Sequence, residues 1–115
     1  MDDALDIEVE QSEFGRAVVV FRGEHGVAQV EALGDRLSAL VAENELVIAD
    51  FSKAVFVDAA IISLLVETRR EAETKQRCFR IQMGTESMVY RVFEIAGVLS
   101  FLECASSRDE ALGEN

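Results

Sequence analysis

The segment from Leu46 to Ala60 constrains the fold of this chain more than any other feature. It reads LVIADFSKAVFVDAA: an apolar strand over 45–50, a connection over 51–57, and then Asp58, where a long helix begins. Continuous apolar runs are typical of buried strands in parallel sheets, and aspartate is a preferred N-cap residue. Because the first N–H groups of a helix lack internal partners, we expect this junction to receive an anion or a partner's polar groups.

Composition limits the classes of protein to consider. The 115 residues fit a single domain, 1–115, and the formal net charge is −11. This charge disfavours direct binding to nucleic acid or anionic lipid, and it either steers the protein to a basic partner or keeps it soluble. The longest apolar runs are far shorter than the ~20 residues of a membrane span, and the N-terminus is acidic. The sequence therefore predicts a cytoplasmic protein without membrane insertion.

Hydrophobic periodicity predicts an initial hairpin followed by alternating helices and strands. The predicted strands cover 5–10, 16–22, 45–50, 78–83 and 98–103. The predicted helices cover 27–44, 58 or 59 to about 77, 88–96 and 106–112. This order indicates an α/β fold with a mixed sheet of about five strands and helices mainly on one face.

The same periodicity assigns side chains to the core. The helical spacing places Val27 on an apolar face, and one packed face of a later helix would contain Met88, Val89, Val92, Phe93 and Ile95. The cysteines Cys78 and Cys104 lie in apolar surroundings without metal-type spacing, so we expect buried, reduced thiols.

Sequence motifs of catalysis are missing. The chain has no nucleophile elbow, no phosphate-cradling glycine loop and no cluster of metal ligands, and its single histidine cannot be paired with a base or nucleophile by spacing. The sequence therefore predicts a protein that is not an enzyme and that uses neither a metal nor another cofactor.

Two segments together carry a family resemblance. Residues 47–58 with the apolar helix that follows, and Tyr90 to Leu102 (YRVFEIAGVLSFL), resemble the STAS domain of bacterial anti-sigma factor antagonists over nearly the whole chain. The resemblance implies a STAS-type mixed sheet, a role in transcription regulation and signalling, and docking to an anti-sigma factor or kinase-like regulator. In partner-switching members, the serine after the aspartate is phosphorylated, which blocks docking. The corresponding residue here is Ala59, which cannot be phosphorylated.

The resemblance also implies a partner-binding surface. Its predicted members are Gly23, Glu24, His25, Asp58, Ala59, Ala60, Ile61, Ile62 and Ser63. We expect His25 to be solvated at the rim. Adjacent helical residues point about 100° apart, so one isoleucine of the pair is expected to be an exposed anchor. Ser52, Ser63 and Thr85 are weaker alternative phosphorylation sites, although such hydroxyls usually form local hydrogen bonds.

Two other functions remain open at this stage. STAS subunits without a working phosphorylation site also occur in lipid-transporting ABC complexes, where the same helix end would contact an ATPase subunit. A scaffold in a larger STAS assembly is less consistent with a short chain that has no extra domain. The type of ATPase that co-purifies would distinguish the first alternative from the anti-sigma role.

Overall fold

A five-stranded mixed sheet organises residues 5–113, the part of the chain that this computed structural model describes. Its strands are β1 (Ile7–Gln11), β2 (Arg16–His25), β3 (Leu46–Val57), β4 (Cys78–Gln82) and β5 (Glu103–Ala105). They lie side by side in chain order; β1 is antiparallel to β2, and all later neighbours are parallel. The predicted mixed α/β sheet is confirmed.

The helices lie on both faces of the sheet but unequally. They are α1 (Val30–Glu43), α2 (Ala59–Thr74), α3 (Met88–Ala96) and α4 (Arg108–Leu112), with 3-10 turns at Val27–Gln29 and Leu99–Phe101. The first three helices share the main core with one set of alternating strand residues, while α4 packs against the other set through Ala111. Within residues 5–113, no helix is long and apolar enough to cross a membrane.

The predicted connection over 51–57 is wrong, because these residues form the second half of β3. They pair with β2, which also continues past its predicted end at residue 22, and the pairing reaches His25 and Val57. The register shifts between Val20 and Arg22 and between Gly23 and Glu24. Pairing of β3 with β4 ends at Asp50. The two long strands therefore project beyond the rest of the sheet and lead directly to Asp58.

Other boundaries differ less. The helix predicted to end near residue 77 ends at Thr74, where Lys75 caps it and Gln76 adopts a left-handed conformation (φ 60°). The last strand, predicted over 98–103, is displaced to Glu103–Ala105 and overlaps the prediction at one residue, because residues 99–101 form a 3-10 turn. The first strand, predicted over 5–10, runs from Ile7 to Gln11 in the structure.

Several core assignments are also wrong. Met88 and Ile95 are 71% and 81% exposed, whereas Val89 and Phe93 of the same helix are buried. A nine-residue helix that packs through one face leaves residues on its other side in solvent, and Ile95 lies about 200° around the helix from Phe93. Both cysteines, Cys78 and Cys104, are free as predicted but exposed, contrary to the expected burial.

A polar network fixes α4 to the sheet. Arg108 donates from Nη2 to Oδ2 of buried Asp50 (2.8 Å) and from Nε to Oε1 of Gln82 (2.9 Å), and its Nη1 lies 3.3 Å from Glu10. Burial is the largest influence on Asp50 and would raise its pKa. The hydrogen bonds from Ser52 together with Arg108 outweigh burial and hold the pKa of Asp50 below its usual value.

Candidate partner-binding site

The Asp58 carboxylate joins two loops at the carboxyl edge of the sheet. Its Oδ1 accepts from the N–H groups of Ala60 (3.0 Å) and Ile61 (3.3 Å), so it caps α2 as its sequence position predicts. Its Oδ2 accepts from the N–H of Val27 (3.1 Å), at the start of the turn that precedes α1. One side chain therefore sets the start of α2 and the position of the loop after β2.

Backbone geometry reinforces this link. The N–H of Asp58 donates to the carbonyl of His25 (3.2 Å), and the N–H of Gly26 donates to Oε1 of Gln29 (2.7 Å). A Cβ atom on Gly26 would lie 3.0 Å from Oδ2 of Asp58, so only glycine leaves the carboxylate its present room. The two loops are held in a defined arrangement by local bonds.

The nine predicted surface residues meet at this edge at different depths. Glu24, Ala59 and Ser63 are exposed, and Gly23, Asp58 and Ala60 are partly buried. His25, Ile61 and Ile62 are buried. The first six residues can form a surface, whereas the other three can act on it only from below.

His25 corrects the prediction of a solvated rim residue. It is 2% exposed, packs edge-on against Phe21 with ring centroids 5.1 Å apart, and places Nε2 2.7 Å from the carbonyl of Arg22. Its Nδ1 is buried without a hydrogen-bond partner among the residues that the structure describes. The ring lies inward because its residue ends β2 in register with buried Val57. His25 therefore supports the loop.

The isoleucine pair corrects a second expectation. Ile61 and Ile62 are 0% and 3% exposed, so neither is an exposed anchor. The two side chains point about 100° apart, yet each of them packs against apolar residues of the main core. Ile62 also lines a groove of about 340 Å³ together with Val98 and Phe101.

Two exposed apolar residues at this edge were not predicted as part of the site. Val27 is 72% exposed instead of lying on the core face of a helix, and Phe56 is 46% exposed. Phe56 pairs with Glu24 across the β2–β3 ladder and borders a depression of about 240 Å³ with His25, Gly26 and Gln29. Residues 55–57 are Val, Phe and Val, and this β-branched and aromatic composition is the signal that could have placed Phe56 on a strand.

The family model of the STAS domain matches residues 6–111. The chain belongs to the STAS domain family. No curated protein matches the sequence. The expected family is therefore confirmed by a match that includes both loops at the Asp58 edge.

Solved STAS structures share the fold. The unphosphorylated anti-sigma factor antagonist SpoIIAA is 20% identical with a TM-score of 0.76, and 92% of each chain is covered. An anti-sigma factor antagonist from Mycobacterium paratuberculosis is 22% identical with a TM-score of 0.78, covering 95% of this chain and 92% of that one. The SLC26A9 structure is 16% identical with a TM-score of 0.70, covering 85% of this chain and 19% of its own. At these identities the similarity shows the fold alone.

The weaker candidate sites remain predictions. Ser52, Ser63 and Thr85 are all exposed, which leaves each accessible to a kinase. Within residues 5–113, no group of three or more His, Cys, Asp or Glu side chains is arranged to hold a metal ion.

Proposed function

We propose that this STAS domain is a non-enzymatic interaction module that docks an anti-sigma factor or a related kinase-like regulator at the start of α2. The observation that carries the proposal is the double role of Asp58, which caps α2 and holds the loop after β2 through Val27. An interface that is arranged before binding loses less conformational entropy when the partner docks.

The proposed contact surface combines polar and apolar groups. Ala59 and Ser63 lie one turn apart on the exposed side of α2, and Glu24, Val27 and Phe56 are exposed on the neighbouring loop and strands. Exposed apolar side chains beside polar groups are typical of the centre and rim of protein interfaces. Ile61, Ile62 and His25 would support this surface from the core.

Docking through this surface would not be switched at residue 59. Ala59 is exposed at the first position of α2, where a serine would be accessible to a kinase, but its methyl group cannot accept a phosphate. The structure of SpoIIAA has been solved in phosphorylated and unphosphorylated forms. We infer that this chain corresponds permanently to the binding-competent form and is controlled by the amount of its partner.

The experiment is an affinity pull-down from cytosolic and detergent-solubilised extracts of the source organism, with mass spectrometry of the eluate. The test variant is Ala59→Glu, which supplies part of a phosphate's charge beside Asp58. A glutamate in the first turn of a helix is favourable to the helix dipole, so the variant should stay folded. Ala39→Glu, at an exposed position of α1, is the matched control.

We expect the unsubstituted protein and the Ala39→Glu control to capture an anti-sigma factor or kinase-like regulator. The Ala59→Glu variant should not capture it. An ABC ATPase with its membrane subunits would contradict the anti-sigma role and favour the transport alternative. Equal recovery by all three proteins would contradict the assigned surface.

A further inference from the structure

The outward side of α3 carries an exposed apolar stripe. Met88 and Ile95 are 71% and 81% exposed, and Val92 between them is partly buried. At 100° per residue these three side chains lie within about 60° of one another around the helix. Val89 and Phe93 point to another side, where they join the main core. The helix therefore has more apolar surface than its packing on the sheet uses.

Two opposite charges lie along the outer border of this stripe. Arg91 and Glu94 are exposed, about one helical turn apart, on the side of Met88 and Ile95 that is turned away from the core. Neither Arg91 nor Glu94 forms a salt bridge with a charged side chain of residues 5–113. Both charges are therefore available to a partner that packs on the stripe.

We propose that a second copy of this chain packs on this stripe, with the two α3 helices antiparallel about a twofold axis. In such an interface the same patch of each copy must be complementary to itself. An axis that passes midway between Arg91 and Glu94 places Arg91 of each copy beside Glu94 of the other copy. One arrangement therefore gives two identical ion pairs, and this charge complementarity favours a second copy as the occupant of the stripe.

The same axis also brings the apolar side chains together. At a rise of 1.5 Å per residue, Met88 lies about 7 Å before the axis and Ile95 about 4 Å beyond it. Met88 of one copy therefore lies within about 3 Å of Ile95 of the other copy along the helix direction. Val92 lies within about 1 Å of the axis and would pack on its own counterpart. The charged and apolar contacts thus agree on a single register.

The size and charge of the molecule determine how strong this dimer should be. The nine residues of α3 provide an interface at the small end of specific protein contacts. Each copy carries a net charge of −11, but at about 150 mM salt the screening length of about 8 Å removes most of the long-range repulsion. We therefore expect a reversible dimer with a Kd of about 10–100 µM. The inference does not depend on docking at the start of α2.

The test is sedimentation equilibrium of the full chain over about 5–500 µM at about 150 mM salt. The mean mass should rise from one chain toward two. Ile95→Ser should weaken association about tenfold or more, because it removes an apolar contact that occurs twice in the dimer. Arg91→Glu should weaken it by a similar factor, because like charges then face each other. The double substitution of Arg91→Glu with Glu94→Arg should restore association, since it exchanges the members of each ion pair.

The matched control is Phe14→Ser, which removes an apolar side chain that is 75% exposed at the turn between β1 and β2. It should leave the Kd within about twofold of the unsubstituted protein. A mass of one chain at all concentrations would overturn the proposal. Equal losses in Phe14→Ser and Ile95→Ser would also overturn it, because association would then follow exposed apolar area in general. A double substitution that stays as weak as Arg91→Glu would overturn the antiparallel register. The substituted α3 positions are exposed, so these variants should fold, which circular dichroism checks.

Discussion

The Asp58 side chain links two loops at the carboxyl edge of the sheet, where we propose that a partner docks. A conventional N-cap satisfies one or two N–H groups of its own helix, and Asp58 additionally holds the N–H of Val27, 31 residues away in the chain. The cap was predictable from sequence because aspartate precedes an apolar helix. The bond to Val27 was not predictable, because it depends on how β2 and β3 are paired.

Gly26 gives a direct test of this arrangement. In Gly26→Ala, the new Cβ would meet Oδ2 of Asp58 at 3.0 Å, so the carboxylate or the loop must shift. We expect a loss of about 1–2 kcal/mol in the free energy of unfolding, measured by urea denaturation.

The matched control is Gly84→Ala, where a Cβ would meet no atom within 4 Å. We expect that substitution to be neutral or slightly stabilising, because alanine restricts the unfolded chain. A Gly26→Ala protein as stable as Gly84→Ala would show that Asp58 does not need its present room.

The burial of His25 illustrates why its predicted position at the solvated rim was wrong. A histidine between glutamate and glycine looks like a solvated loop residue, yet the extension of β2 carries it to 2% exposure beside Phe21. Nothing within a few residues of His25 indicates that extension. The signal lies in residues 55–57, whose β-branched and aromatic side chains favour a strand that pairs with β2 as far as His25.

At the scale of elements, α4 is held to the sheet in part by the ion pair between Arg108 and buried Asp50. The sequence predicted a terminal helix over 106–112, and the structure has one at Arg108–Leu112, but its face and contacts were not predictable from so short a segment. It covers the sheet face opposite the other helices, where Ala111 packs and Arg108 pairs with Asp50. A charged residue in the middle of an apolar strand therefore acts as an anchor for a distant helix.

This anchor predicts acid sensitivity. Because the pKa of Asp50 is lowered in the folded protein, its contribution to stability is present above the usual aspartate pKa near 3.9 and is lost as pH falls through the lower folded value. We expect Asp50→Asn to lower the free energy of unfolding by about 1–3 kcal/mol at pH 7. This value is smaller than for a fully buried pair, because the Arg108 side chain is 35% exposed and solvent screens its charge.

Urea unfolding at several pH values measures both parts of this prediction. The difference between the unsubstituted protein and Asp50→Asn should shrink as pH falls below about 4. Asp35→Asn, at an exposed position of α1, should follow the unsubstituted protein throughout. A constant difference across the acid range would contradict a role for ionised Asp50.

At the scale of the whole molecule, the two edges of one sheet carry different surfaces. The carboxyl edge presents Asp58 and Ala59, and the amino edge presents Arg16 and Arg77 around a cavity. Element order and family were predictable because hydrophobic periodicity and two motif segments span most of the chain. The cationic cavity was not predictable, because Arg16 and Arg77 are distant in the chain and are brought to the same edge only by strand register.

The most direct measurement is the affinity of the captured partner for the unsubstituted protein, Ala59→Glu and Ala39→Glu, each checked for folding by circular dichroism. The account predicts tight binding without any phosphorylation, and a loss of more than about 1 kcal/mol, or roughly fivefold in Kd, for Ala59→Glu alone. Unchanged affinity in Ala59→Glu, or an equal loss in Ala39→Glu, would contradict docking at the start of α2.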